Sequence, residues 1–339
     1  MKKIYLSIII IFFGITILSS CIGKKSQGLV TSLNREWQIV KVNSTLPENI
    51  IITQNEELTL KQDLARGGAI CFISATGRDV NLVNVSDEGR YIQQSYYAGR
   101  LIDRQDEGQS PFWSPWAWNP IQAGDCALNR AKILNYRQDD HNTYVKCIPM
   151  QWDMDNKPAK AVIEQWLELK GRIIHVKNKL TCHRTDSIYG EGVLNDQEIP
   201  AVYVISQLDR LYTYFGNRPF EGDDVRNTEV IHLEDGFWGI YNGEQNLVPS
   251  EQWMAFVNDS LWGVGVYSPS ASHFLAGMFG QPGGDAYSSS TSYIAPIKQE
   301  ALNKNSVMVY DYYLIIGTLE QIRSAVYQIK EEIGGKGKI

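Results

Sequence analysis

Short runs of apolar and aromatic residues, broken by Gly, Asn, Asp or Pro, recur along almost the whole of this 339-residue chain and restrict it to β architecture. The runs cover 37–42, 69–74, 80–85, 143–149, 161–169, 172–181, 201–207, 229–233, 237–241, 253–258, 261–267 and 307–316. Lys170-Gly171, Asp235-Gly236 and Asn242-Gly243 tolerate positive φ and so predict tight turns between strands. Only the C-terminus reads as a helix. Thr318 and Gln321 have the spacing of a capping box, Ile322, Ala325, Val326, Ile329 and Ile333 follow at helical intervals, and Gly334-Gly335 is the expected stop. More than a dozen strands, with no repeat of propeller or solenoid period, predict an all-β fold: one large antiparallel two-sheet sandwich over residues 36–339 with a single C-terminal helix.

The densest apolar run is not part of that pattern. Lys2 and Lys3 precede an apolar stretch over 4–18, followed by Leu18, Ser19, Ser20 and Cys21. This order resembles the lipobox of bacterial lipoproteins, which implies a signal peptide over 1–20, lipidation of Cys21 and a polar tether over 21–35. At about 15 residues the stretch is short for a membrane span, which needs roughly 20. Cleavage would take the formal charge from −6 to −8. Lys24 and Lys25 stand where surface-exported lipoproteins carry acidic residues, so the expected location is the outer membrane, facing the periplasm. An acidic chain lacks the basic footprint of a nucleic-acid binder, so no nucleic-acid partner is expected.

Outside the cytosol disulfides are permitted, and Cys71, Cys126, Cys147 and Cys182 allow three pairings or four free thiols. Neither these cysteines nor the five histidines have metal-ligand spacing, so neither metal nor cofactor is expected. Nor is there a G-x-S-x-G nucleophile motif.

The segment 98–125 is punctuated by Gly and Pro and carries Trp113, Trp116 and Trp118 within six positions, then Asn119, Gln122 and Asp125. Indole faces with neighbouring amides and a carboxylate suit a sugar, whose C–H faces stack while its hydroxyls hydrogen-bond. Upstream, Asp87 and Arg90 form a turn-orienting ion pair or leave Arg90 to meet a substrate carboxylate. If 91–97 is a strand, Gln93, Ser95 and Tyr97 share one face. The glycine-rich stretch 277–284 and the polar loop 288–292 read as groove rims.

Gly67-Gly68, Asn81 to Asn84, Asp87 to Arg90, Gln93 to Tyr97 and Trp118 to Asp125, with Glu251 to Phe256, Gly263 to Tyr267 and Tyr310 to Leu314, resemble a family of secreted bacterial proteins associated with polysaccharide breakdown. Its overall pattern is similar to the galactose-mutarotase-like β-supersandwich. The resemblance implies a carbohydrate-active protein and covers most of 37–330, but the His acid and Glu base of mutarotases find no clear match.

Glycoside hydrolysis needs two carboxyl groups across the scissile bond. Asp125 is the first candidate, because it ends the aromatic loop, with Asp87, Glu164, Glu198 or Glu251 as partner. Glu198 stands at a strand start and Asp87 beside Arg90, so the expected catalytic set is Asp125, Glu198 and Asp87. Arg90, Gln93, Tyr97, Trp113, Trp116, Trp118, Asn119 and Gln122 are the expected substrate contacts. The expected function is a glycoside hydrolase acting on a glycan. The alternatives are a lyase on a uronate glycan, using Arg90 with Tyr96, Tyr97 or His183, and a lipoprotein that only binds glycans.

Overall fold

The computed structural model describes residues 49–228 and 248–336. The signal peptide, Cys21, the tether, the runs at 37–42, 229–233 and 237–241 and the turns at Asp235-Gly236 and Asn242-Gly243 lie outside the described residues. Among those described, no helix is long and apolar enough to cross a membrane.

Two antiparallel sheets make the sandwich, as the run pattern predicts. Six strands form one sheet, in the spatial order Met150–Gln151, Pro120–Ile121, Gln93–Ser95, Asn195–Ile205, Thr291–Glu300 and His273–Phe279. The other has nine, in the order Arg226–Thr228, Arg210–Thr213, Trp253–Val257, Trp262–Tyr267, Val307–Thr318, Ile173–Cys182, Ala161–Lys170, Asn142–Ile148 and Lys132–Gln138. A three-stranded sheet, Ile50–Gln54, Leu58–Asp63 and Ala69–Ala75, adjoins them.

Alternation along each strand sorts side chains onto two faces. Val202, Val204, Ile294 and Phe274 of the smaller sheet meet Ile163, Leu167, Val176, Leu180 and Leu314 of the larger one in a single buried core. Behind the larger sheet, Ile322, Val326 and Ile329 of the helix Leu319–Lys336 cover Trp253, Tyr267 and Ile315. The opposite face of the smaller sheet carries a separate cluster: Tyr203, Ala201, Tyr293, Ala295, Ile297 and Leu275.

Lys170 pairs with Ile173, so the two-residue turn is Gly171-Arg172, one residue later than the expected Lys170-Gly171, with Gly171 at φ +54°. Thr318 and Gln321 form the capping box, each accepting from the other's backbone N–H. The helix nevertheless continues through Gly334 and Gly335 to Lys336, because a glycine pair lowers helix propensity without forbidding helical φ and ψ. The run at 80–85 is not a strand; Val83 makes one bridge to Val204 and Asn81 ties the rest down through its side chain. Only Gln93–Ser95 of the run 91–97 pairs as strand. All four described cysteines are free thiols.

Gly265 lies in the strand that meets the helix, and a Cβ there would collide with the Ile322 side chain. Gly265→Ala is therefore expected to destabilise the fold by about 1–3 kcal/mol through overpacking. The urea midpoint should fall with an unchanged slope.

Candidate functional site

The outer face of the six-stranded sheet holds the candidate site. Glu198 pairs in register with Ser95 on one side and Ile297 on the other, and Ile297 pairs with His273, so these four side chains form one row. The Glu198 carboxyl is half-buried and accepts from two phenols, Tyr293 at Oε1 and Tyr97 at Oε2, the latter at 3.4 Å. Burial pushes the Glu198 carboxyl up from its ordinary value; hydrogen bonds from Ser95, Tyr293 and Tyr97 oppose the shift, and the Asp196 charge adds to it. Tyr203 stacks obliquely on Tyr293 with ring centres 4.7 Å apart. Burial, then the charges of Glu198, Tyr97 and Asp87, push the Tyr203 phenol up, while Arg90 pulls it back.

Asp196 is two residues from Glu198 and on the same face of the strand. It lies 3.7 Å from Nε2 of His273, which is 5% exposed and held at Nδ1 by Ser272 Oγ at 2.9 Å. The His273 imidazole holds the Asp196 carboxyl below its ordinary value against desolvation, assisted by Gln299. The two neighbouring carboxyls are thus pushed in opposite directions.

An aromatic wall flanks this row. Tyr97 packs edge-on to Trp116 at 6.4 Å, Trp116 to Trp113 at 5.0 Å, and Trp113 to Trp152 at 5.5 Å. Beyond Trp152 the Asp87–Arg90 turn closes the wall, since a Cβ on Gly89 would stand 3.1 Å from the Trp152 indole.

Of the residues expected from sequence, Glu198, Tyr97, Trp113, Trp116, Asp87 and Arg90 come together around this face. Arg90 is a strut: its Nε meets Asp87 at 2.9 Å and its Nη1 donates to the Ser289 carbonyl, joining the turn to the 285–290 loop. Burial pushes the Asp87 carboxyl up, partly offset by Arg90.

The remaining expected residues are built into the scaffold. Asp125 is 2% exposed and accepts from the backbone N–H groups of Ala127, Asn129 and Asn156 and from the Asn129 side chain. Gln122 bridges Gly67 O and Gln94 N, Asn119 bridges Trp116 Nε1 and Tyr96 O, and Gln93 bridges Gly89 O and Ala123 N. Trp118 is in the main core beneath the Arg184 guanidinium. Glu164, bonded to Tyr144 and Lys179, belongs to the larger sheet, and Glu251 is buried against Arg323. Asp125→Ala should therefore cost about 3 kcal/mol, because it orphans buried amide donors, while the folded fraction keeps its turnover. Thermal unfolding read beside specific activity checks both halves.

Asp196, His273, Tyr293 and Trp152 escaped the sequence reading. For Asp196 a signal existed: its two-residue spacing from Glu198 at a strand start implies a shared face. His273 and Tyr293 reach the row only through strand pairing, which no local pattern announces.

No known family profile matches the chain, and no curated protein matches it. Solved structures do resemble it at low identity. A galactose mutarotase-like protein from Lactobacillus casei is 9% identical, covers 79% of this chain and 100% of its own, and has a TM-score of 0.47. A galactose mutarotase related enzyme from Lactobacillus acidophilus is 10% identical over 79% of this chain and 97% of its own, with a TM-score of 0.46. The 4-alpha-glucanotransferase from Thermococcus litoralis is 12% identical over 78% of this chain and 37% of its own, with a TM-score of 0.41.

Proposed function

We propose that this protein is a glycoside hydrolase whose acid is Glu198 and whose base is Asp196, working on the outer face of the six-stranded sheet. The single observation that carries the reading is two carboxyls side by side on one strand face in unlike surroundings, Glu198 between the phenols of Tyr97 and Tyr293 and Asp196 3.7 Å from the His273 imidazole, which push the first up and the second down. Glu198 in its acid form gives its proton to the glycosidic oxygen as the C–O bond to the leaving sugar breaks. Asp196 takes a proton from the water that forms the new bond to the anomeric carbon. Two residues of extended strand separate such groups by about 7 Å, within the range that leaves room for that water, so inversion at the anomeric carbon is expected. The half-buried Tyr97 and Trp113 supply the aromatic surface for a sugar ring, and Trp116, buried between them with its indole N–H on Asn119, holds them in place.

A lyase reading needs a phenolate or a neutral imidazole as base. Every phenol in the row is pushed up by burial first and by Glu198 next, which opposes phenolate formation. The order of Lys2, Lys3, the apolar stretch and Cys21 supports a lipid-anchored enzyme, and Lys24 and Lys25 just behind the anchor support an outer-membrane location facing the periplasm.

The test is release of reducing ends from a panel of soluble polysaccharides, with the anomer of the fresh product read by NMR. The wild-type chain should release them with inversion, and Glu198→Gln should not. No release from any polysaccharide, or full release by Glu198→Gln, would overturn the proposal.

A further inference from the structure

We infer that the outer face of the nine-stranded sheet, across the sandwich from Glu198, binds a polysaccharide that bears carboxylates. This second site is independent of the acid–base pair above.

Strand register sorts this face into rows. Tyr144, Trp166, Lys177 and Asp311 pair in turn across the sheet, and Lys146, Glu164, Lys179 and Val309 form the row beside them. Val145, Gln165, Asn178 and Tyr310, between the two rows, turn inward and are buried. The C-terminal helix covers the other end of the face, over Trp253, Tyr267 and Ile315, and leaves these rows open: Trp166 is 37% exposed and Val309 45%.

The face is basic in a chain whose formal charge is −6. Lys179 and Lys146 share one carboxylate, Glu164, at 3.1 and 4.0 Å, and the Glu164 side chain is only 12% exposed. Lys177 is exposed and makes no ion pair among the described residues. Its in-register neighbour Asp311 instead meets His175 Nε2 at 2.8 Å. Three ammonium groups therefore reach the surface around one covered carboxylate.

Trp166 supplies the apolar half of the site. Its ring packs on Tyr144 with centres 5.1 Å apart, and the Tyr144 hydroxyl donates to Glu164 Oε1 at 2.7 Å, so the aromatic pair is tied to the same carboxylate that holds the lysines. An indole takes the C–H face of a sugar ring, and an ammonium one strand away takes its carboxylate. A neutral glycan would leave Lys177 unmatched, and a small inorganic anion would leave the indole bare. A lipid surface is engaged by apolar side chains that project, whereas Trp166 packs against Tyr144 within the face.

The measurement is affinity electrophoresis of the full-length chain through native gels that contain polygalacturonate, neutral dextran or single-stranded DNA, each mobility divided by that of the same variant in plain gel. Polygalacturonate alone should retard the wild-type chain, and added salt should relieve the retardation. Lys177→Glu should weaken binding about tenfold, since reversal removes an attraction and adds a repulsion, and Trp166→Ala should weaken it by a similar factor through the lost stacking surface. Lys177 is exposed and outside every ion pair described, so its reversal leaves the fold intact and its result stands even if Trp166→Ala folds poorly. No retardation by polygalacturonate, equal retardation by dextran or by single-stranded DNA, or wild-type binding by Lys177→Glu overturns the inference. Glu198→Gln should be retarded like the wild type, so failure of the acid–base reading, seen as turnover by that variant, leaves this result untouched.

Discussion

Glu198→Gln is expected to lower turnover by about 10²–10⁴-fold while leaving glycan binding intact, the range by which one positioned proton donor accelerates a reaction. Glutamine keeps the shape of the side chain; its amide oxygen can still accept from Tyr293, and its amide N–H can donate to the Tyr97 oxygen where the carboxylate accepted, so the row should survive the exchange. What it lacks is the transferable proton. The pH dependence follows from the same group. Burial raises the Glu198 carboxyl, so the acid form persists to higher pH than in an exposed glutamate, and turnover should fall as pH rises through that raised value. At low pH the fall should follow protonation of Asp196, which His273 holds down. His273→Gln should move the acidic limb upward and leave the alkaline limb nearly in place. Stability provides an independent check of sign. A carboxyl raised in the folded state binds protons more tightly there than in the unfolded chain, so its contribution is full below the unfolded value of 4.5 and is lost as pH rises through the folded one. Glu198→Gln should remove that decline. A variant with the wild-type pH–rate profile would end the assignment.

The largest stability effect is expected at Glu251. This carboxylate is 0% exposed and receives hydrogen bonds from Phe220 N at 2.8 Å, Trp253 Nε1 at 2.7 Å, Tyr327 OH at 2.8 Å and both Nε and Nη2 of Arg323 at 3.1 and 2.9 Å. It ties the C-terminal helix to the larger sheet. Desolvation pushes the carboxyl up, but Arg323, Trp253, Phe220 and Tyr327 outweigh it, and the net displacement is downward. Glu251→Ala should cost about 3–5 kcal/mol, because it leaves the Arg323 charge buried without its partner. Replacing both residues, Glu251→Leu with Arg323→Met, should cost less than the sum of the single changes, since the buried charge then disappears with its partner. The pH sign is opposite to that of Glu198. A lowered carboxyl contributes above its unfolded value of 4.5, and the contribution is lost as pH falls through the folded value. Urea unfolding as a function of pH, with additive costs in the double variant as the contrary result, decides the matter.

How far the site could be read in advance depended on whether its residues were local in sequence. Trp113 and Trp116 announced themselves by density, and Glu198 by its place at a strand start. Asp125 has the same outward credentials, a carboxylate beside aromatics, yet its four residues downstream fold back to saturate it. Composition does not distinguish a carboxylate that closes a turn from one that faces a substrate, because both need an acidic residue in a loop. Asn119, Gln122 and Gln93 followed the same course: the polarity that suits sugar hydroxyls equally suits buried backbone groups that need partners.

Period-two patterning, turn dipeptides and a capping box are local, and they alone determined that this chain is a two-sheet antiparallel sandwich with a helix at its end. Which carboxyls share a row was decided by pairing between strands far apart in sequence. Glu198 meets Ile297 and Ile297 meets His273 only once three distant strands are in register. The environment that separates Glu198 from Asp196 comes from the same event, since burial and a neighbouring imidazole are properties of the packed face and not of either residue.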